Sequence, residues 1–167
     1  GMPIAAISLA LLREGYPVYG VVYDSNRHLL VHGGPEFGIF HGNSRYRPVF
    51  RPDTAASPQS DITIGMHFPL KPDQLEWVRP LLEKYRVRAI GSGALNVLYS
   101  ATGFFDGALD FKIKVWDIAA AFAINEAAGR PFHFLEESVF PLKKFHPRLP
   151  HCPFYTGSER FCKEVQA

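Results

Sequence analysis

The sequence predicts an α/β protein in which an N-terminal antiparallel β-meander is followed by a small mixed sheet flanked by helices. The first 40 residues contain short apolar runs separated by turn residues, which is typical of consecutive antiparallel strands. After residue 60, strand-like runs alternate with segments whose apolar residues recur at helical spacing. Residues 47–60, rich in Pro, Ser, Asp and Ala, form the expected irregular connection between the two patterns.

Four short strands are expected in the N-terminal part. They span residues 4–12, 18–23, 29–32 and 37–40. Gly15, Tyr16 and Pro17 separate the first two runs, so we expect an antiparallel hairpin with its turn at these residues. Residues 24–27 supply a second polar turn, and residues 33–35 a third. Strands joined by such short turns form a meander.

Strands and helices alternate in the C-terminal part. The expected strands span residues 61–67, 87–90 and 109–113, and the expected helices span residues 72–85, 94–102, 116–128 and 158–165. Asp73 is a candidate N-cap of the first helix. Gly103 and Gly129 are well placed to end the second and third helices. This alternation favours helices packed on a small sheet.

The length of 167 residues fits one domain with a hydrophobic core. We expect residues 1–167 to form a single unit, with residues 1–47 in the first sheet and residues 61–167 in the C-terminal α/β subdomain. The content of 47% hydrophobic and 20% charged residues is ordinary for a soluble globular protein. No apolar run approaches the roughly 20 residues that span a bilayer, so no membrane partner is expected.

The net charge and the cysteine spacing give no support for a nucleic-acid-binding protein or a zinc protein. Eighteen Lys and Arg against 16 Asp and Glu leave a formal charge of +2, which gives no support for nucleic-acid binding. Cys152 and Cys162 lack the paired spacing of a zinc site, and we expect both as reduced thiols. The N-terminal residues show no secretory signal pattern, so a cytoplasmic location is expected.

Two motifs carry the most chemical information: Gly91-Ser92-Gly93-Ala94-Leu95, which turns into a helix, and Trp116-Asp117-Ile118-Ala119-Ala120, which opens another. In this order and at this separation they resemble the inositol monophosphatase family, whose second signature is Trp-Asp-x-Ala-Ala-Gly at a helix start. Residues 6–12 and 20–24 resemble the strands that follow the family's first signature, so the resemblance covers essentially the whole chain. It implies a truncated form of the family's layered sandwich, and Mg²⁺-dependent hydrolysis of a phosphate monoester such as an inositol phosphate.

Asp117 is the candidate metal ligand. A carboxylate in the first turn of a helix faces unpaired N–H groups and the positive end of the helix dipole, which keeps it ionised. Mg²⁺ prefers such hard oxygen ligands, and the resemblance implies that Asp117 holds the metal. The alternative is that Asp117 only caps its helix.

Gly91, Ser92, Gly93 and Asp110 are the candidate substrate-binding residues. A glycine-rich turn into a helix is a general anion site, and in the resembling enzymes this turn contacts the substrate. The alternative for the turn is structural, with Ser92 as the N-cap. Asp110 matches a family Glu that binds substrate hydroxyls, and its shorter side chain implies altered specificity or a lost contact. Trp116 is expected to pack rather than bind ligand.

The sequence also departs from the family pattern. Lys112 replaces a Gly, Asn125 interrupts an apolar helix face, and Arg130 replaces the second Gly at the helix end, and each departure bears on the site geometry. The Gly-Glu-Glu and Asp-Pro-x-Asp-Gly-Thr motifs, which carry most of the family's metal ligands, would precede residue 1. Because a two-metal centre needs several convergent carboxylates, we expect weak or absent Mg²⁺ binding by this chain alone.

Three functional hypotheses follow. The first is a truncated phosphatase-family protein whose activity on a phosphorylated small molecule is impaired. The second is a non-catalytic oligomeric or small-molecule-binding module, and the third is one half of a split phosphatase. The absence of the family's N-terminal helices would leave an apolar sheet face bare, so we expect a homo-oligomer, specifically a dimer, or a partner chain on that face.

Other candidate sites are weaker. The seven histidines are dispersed without a metal-binding pair spacing. His151 and Cys152 are adjacent, but the spacing of a cysteine phosphatase loop is missing, and a surface loop is expected there. No GxGxxG or GxxxxGK motif supports a nucleotide site.

Overall fold

The computed structural model describes residues 4–51 and 62–166. The strands are β1 (Ala6–Arg13), β2 (Tyr16–Asp24), β3 (Leu29–Gly34), β4 (Gly38–His41), β5 (Ser44–Tyr46), β6 (Thr63–Met66), β7 (Arg86–Arg88), β8 (Gly107–Asp110), β9 (Phe132–Phe134) and β10 (Phe154–Gly157). The helices are α1 (Pro72–Lys84), α2 (Gly93–Thr102), α3 (Val115–Ala127) and α4 (Glu159–Gln166). These elements build two five-stranded sheets. Within the described ranges, no helix is both long and apolar enough to cross a membrane.

The first sheet is the antiparallel meander that the sequence predicts, in the order β1-β2-β3-β4-β5. Its first hairpin turns at Glu14 and Gly15, whose φ angles of 52° and 83° are both left-handed. Paired left-handed residues match the twist of a two-residue hairpin, so β2 begins at Tyr16, earlier than expected. The sequence analysis missed β5, because a three-residue strand gives almost no periodic signal.

The inner face of the first sheet packs on α2 and α3. Val22, Val31 and Ile39 are buried there in the larger hydrophobic core. Gly20 of β2 allows the close approach, since a Cβ at this position would lie 1.9 Å from the backbone oxygen of Ala120 in α3. Packing of an amphipathic sheet face on two helices gives the layered arrangement of an α/β sandwich.

The second sheet is mixed, in the order β7-β6-β8-β10-β9. Strand β6 pairs parallel to both β7 and β8, whereas β10 pairs antiparallel to β8 and β9. A second core cluster forms around Ile64, Leu109 and Phe161, with Val78 and Leu81 of α1. The sequence analysis missed β9 and β10, because they lie in a region rich in aromatic residues and Pro that lacks alternation.

The expected helix N-cap at Asp73 was wrong. The N-cap is Lys71, and Pro72 takes the first helical position, where its missing N–H costs no hydrogen bond. Asp73 lies in the first turn instead. The expected connection over residues 47–60 lies largely outside the described residues, as does Asp61 at the start of the predicted strand 61–67.

Candidate functional site

A cavity of about 270 Å³ opens at one edge of the second sheet. Its lining includes all five residues that the sequence analysis selected, namely Gly91, Ser92, Gly93, Asp110 and Asp117. Strands β6 and β8 are parallel neighbours, with Met66 beside Leu109, so the residues that follow them emerge at the same edge. Ligand sites form outside the carboxyl ends of such strands. Helices α2 and α3 begin at this same cavity.

The turn into α2 is built by its glycines. Gly91 has a φ of 78°, a left-handed conformation that a side chain disfavours. A Cβ at Gly93 would lie 2.2 Å from Cδ1 of Ile113, so a larger residue here would require the Ile113 side chain to move. Ser92 is the N-cap, and its Oγ accepts a hydrogen bond from the backbone N–H of Leu95 at 3.4 Å. Ser92 therefore caps α2, as the structural alternative predicted. The turn to which it belongs also lines the cavity.

Asp110 ends β8 and is buried beside the cavity. Its Oδ1 accepts a hydrogen bond from the backbone N–H of Lys112 at 2.7 Å. The same oxygen lies 3.1 Å from Nδ1 of His67. One carboxylate oxygen of Asp110 is thus held by two groups.

Asp117 lies in the first turn of α3, after the N-cap Lys114. Burial raises the pKa of Asp117, the backbone N–H of Lys114 opposes this shift by hydrogen bonding, and the charge of Asp110 adds to it. An acidic side chain that accepts a hydrogen bond from the N-cap amide helps to cap its helix. Asp117 therefore contributes to the cap of α3, and it also lines the cavity. Two carboxylates that repel one another across a cavity favour the entry of a cation.

The donor set of this cavity suits a single hard cation. Mg²⁺ is commonly held by one or two carboxylates together with water and substrate phosphate, and Asp117 offers one such carboxylate at the cavity. Among residues 4–51 and 62–166, no group of three or more His, Cys, Asp or Glu side chains is placed to hold a metal ion. The described residues alone therefore do not make the carboxylate cage of a two-metal centre.

The family model of the inositol monophosphatases matches residues 1–156. The chain belongs to the inositol monophosphatase family. Among individual relatives, an inositol-1-monophosphatase of Mesorhizobium japonicum is 31% identical over 135 residues, which cover 77% of this chain and 49% of that protein. The Nus factor SuhB of Pasteurella multocida is 32% identical over 133 residues, with the same two coverages.

Solved structures show the same fold. The SuhB protein of Bartonella henselae matches 96% of this chain and 59% of its own, with a TM-score of 0.75 and 24% identity. An inositol monophosphatase II of Staphylococcus aureus, solved with inositol monophosphate, matches with a TM-score of 0.71 and 21% identity. The chain spans about half the length of the relatives that it matches in sequence.

Two departures from the family motifs lie outside the cavity lining. The side-chain amide of Asn125 donates to the backbone oxygen of Arg130 at 2.9 Å and accepts from Oγ1 of Thr156 at 3.1 Å. Arg130 donates to the backbone oxygen of Asp106 at 2.7 Å. Both residues tie the end of α3 to the second sheet. Lys112, in contrast, lines the cavity and holds Asp110 through its backbone.

Trp116 lies beside Asp117 but is absent from the cavity lining. Its ring meets Phe145 edge-to-face at 6.0 Å, and the side chain remains 40% exposed. The residue therefore packs on a neighbouring aromatic ring, as the sequence analysis expected.

The expected surface loop at His151 and Cys152 is correct for His151 and wrong for Cys152. His151 is exposed, whereas Cys152 is buried with its thiol 3.5 Å from the backbone oxygen of Ile113. Burial raises the pKa of the Cys152 thiol to about 12, and the charges of Asp110 and Asp117 reinforce the shift. A thiol of that pKa stays neutral, so Cys152 is no nucleophile at physiological pH.

Sequence reasoning missed His67 and Asn96, which also line the cavity. His67 follows β6 directly, and the available signal was a polar residue at the end of the predicted strand 61–67. Asn96 is 1% exposed within the otherwise apolar helix α2. A polar residue on a buried helix face was the available signal in its case.

Proposed function

We propose that this chain forms the substrate-binding wall and supplies one metal ligand of a Mg²⁺-dependent phosphomonoesterase. The substrate is a phosphorylated polyol such as an inositol phosphate. One observation carries the proposal: Asp110, Asp117 and the N-terminal turn of α2 line the same cavity. Membership of the inositol monophosphatase family supports it.

Each group has a physical role in this proposal. The first turn of α2 offers the positive end of a helix dipole, which favours the phosphate group. Asp117 would hold Mg²⁺, which when bound polarises the phosphate and lowers the pKa of a coordinated water. Asp110 accepts a hydrogen bond from a substrate hydroxyl. In this proposal Asp117 binds the metal and Asp110 binds the polyol.

We further propose that this chain alone binds Mg²⁺ weakly and hydrolyses slowly. The described part of the cavity lining holds two carboxylates, one of which is already engaged by Lys112 and His67. A tight two-metal site requires more convergent oxygen ligands.

A phosphate-release assay with inositol monophosphate at saturating Mg²⁺ tests the proposal. We expect slow release that depends on Mg²⁺ and falls at least tenfold in Asp117→Asn. Asp73→Asn, an exposed acidic residue in the first turn of α1, is the matched control and should retain the wild-type rate. Release that needs no Mg²⁺, or that survives in Asp117→Asn, would contradict the proposal.

A second candidate function is that of an oligomeric binding module. Ile7, Leu9 and Leu11 of β1 are 57%, 62% and 62% exposed on the face of the first sheet that points away from α3. Leu30 of β3 continues this outer face. Since these four apolar side chains are exposed on one face of the sheet, we propose that this face is buried against the same face of a second copy.

A further inference from the structure

We propose that His67 is a positioning residue, which fixes the carboxylate of Asp110 so that one oxygen stays available for a substrate hydroxyl. The inference rests on the proposed function, because it takes the polyol part of the substrate as the ligand of Asp110. It adds a residue that neither motif of the sequence contains.

The topology brings His67 and Asp110 together. Met66 and Leu109 are paired neighbours in the parallel strands β6 and β8, so the next residues in both strands emerge side by side. The His67 ring meets the ring of Phe111 edge-to-face at 5.9 Å. Its side chain is 14% exposed, so the ring has little freedom to turn away from Asp110.

The contacts of His67 define which oxygen of Asp110 is held. Nδ1 of His67 lies 3.1 Å from Oδ1, and the N–H of Lys112 donates to the same Oδ1 at 2.7 Å. No described residue donates a hydrogen bond to Oδ2. That oxygen faces the first turn of α2, since a Cβ on Gly93 would lie 3.5 Å from it. Oδ2 is therefore the oxygen that meets a ligand in the cavity.

The position of the proton on His67 follows from its neighbours. Nδ1 has two competing neighbours. The backbone N–H of Phe111 is directed at it with an N···N distance of 3.3 Å, which suits an unprotonated Nδ1, whereas Oδ1 of Asp110 lies 3.1 Å away, which suits a protonated one. A hydrogen bond to a charged acceptor is the stronger of the two, so we assign the proton to Nδ1, with Asp110 as its acceptor. Nε2 is buried and has no partner among the described residues. The contact of His67 with Asp110 is therefore made through Nδ1.

Two substitutions of His67 test whether its hydrogen bond to Asp110, and not the size of its side chain, is what affects ligand binding. In His67→Asn the side-chain amide occupies the place of Nδ1 and keeps a donor for Oδ1. In His67→Gln the amide reaches the place of Nε2, and the donor to Asp110 is lost. Asp110→Asn removes the acceptor itself. Thermal melts of all three variants verify that each remains folded.

The binding experiment uses two probes, inositol monophosphate and inorganic phosphate, each titrated into the chain with Mg²⁺ by calorimetry. His67→Gln and Asp110→Asn should each weaken inositol monophosphate about tenfold, which is the loss expected for one hydrogen bond to a charged group. His67→Asn should stay within about threefold of wild type. Inorganic phosphate should bind the two His67 variants as tightly as the wild type, because it makes no polyol contact and neither substitution changes the charge of Asp110.

A spectroscopic readout is independent of substrate. Long-range ¹H–¹⁵N spectra of the imidazole should show the Nδ1–H tautomer of His67 in the wild type, and a shift toward Nε2–H in Asp110→Asn. A wild-type Nε2–H tautomer would overturn the inference. Equal affinities of His67→Asn and His67→Gln for inositol monophosphate would also overturn it.

The outcomes distinguish this inference from the proposed function. One outcome is that the wild type binds inositol monophosphate more tightly than phosphate, with the variants ranked as stated above, and yet releases no phosphate. In that case the positioning role of His67 stands and the hydrolytic function fails. If the wild type binds both probes equally, the phosphate site stands and the role of His67 fails. Binding of neither probe contradicts both.

Discussion

Tyr99 of α2 donates its hydroxyl hydrogen bond to the carboxylate of Asp24, which is fully buried at the end of β2. The other oxygen of Asp24 accepts from the backbone N–H groups of Asn26 and Arg27, at 3.0 and 3.2 Å. This pair joins the first sheet to the helix whose N-terminus lines the cavity. It therefore links the layer that carries the apolar outer face to the candidate site.

Tyr99→Phe should destabilise the fold by about 1–3 kcal/mol, because it leaves one oxygen of a buried carboxylate without a donor. Urea denaturation measures the loss. Tyr23→Phe is the matched control, since the Tyr23 hydroxyl bonds to the exposed His28 and its removal should cost less than about 0.5 kcal/mol. Equal losses in the two variants would show that the bond to Asp24 contributes nothing.

The same pair predicts a pH dependence of stability. Burial, and then the hydrogen bond to Asp24, raise the pKa of Tyr99 from 10.0 to about 12. Because the folded pKa exceeds the unfolded one, the stabilisation is complete below pH 10 and is lost as the pH rises toward 12. Denaturation midpoints from pH 9 to 12 should fall less steeply in Tyr99→Phe than in the wild type. Parallel curves of midpoint against pH in the two proteins would contradict a raised pKa of Tyr99 in the folded state.

Gly20→Ala should destabilise by at least about 1–3 kcal/mol, because its Cβ would collide with the backbone of Ala120 and push α3 from the sheet. Gly42→Ala is the control: a Cβ there meets nothing within 4 Å, although φ is 54°. It should cost only the roughly 1 kcal/mol of a left-handed alanine. Thermal unfolding compares the two, and an equal cost would contradict the packing argument.

Cys152 should react slowly with iodoacetamide. At pH 8 a thiol of pKa about 12 has a thiolate population about a thousandfold below that of a thiol with the ordinary pKa of 9.0. Mass spectrometry should find little modification of Cys152 in the native chain and complete modification in urea. Its rate should rise as the pH rises toward 12. Rapid native modification would show that the thiol is neither buried nor neutral.

Light scattering at micromolar concentration should give the mass of a dimer. Leu9→Lys places a charge within the apolar outer face and should yield a monomer. Val49→Lys is the control, because Val49 is 83% exposed but lies outside both sheets. A monomeric wild type, or dissociation in both variants, would contradict burial of this face against a second copy.

The predicted α/β class and the family resemblance are confirmed by the two sheets and by the family match over residues 1–156. Helix α1 was predictable because its apolar residues recur at helical spacing, and the first meander strands were predictable because turn residues separate their apolar runs. Strand β10 was not, since its four residues are all buried between β8 and β9 and show no alternation.

The candidate site was predictable only in part. The two motifs located Asp117 and the α2 turn because a helix start leaves a local signature of glycine, serine and acid. His67 and Asp110 are 43 residues apart, and only the parallel pairing of β6 with β8 brings them together. The metal and substrate roles of these residues remain predictions.

Calorimetric titration of inositol monophosphate, with and without Mg²⁺, tests the central account most directly when wild type is compared with Asp117→Asn. We predict weak binding to the wild type that Mg²⁺ strengthens, and no Mg²⁺ effect in Asp117→Asn. Tight stoichiometric Mg²⁺ uptake by the chain alone, or a Mg²⁺ effect that persists in Asp117→Asn, would contradict a cavity with one metal-binding carboxylate.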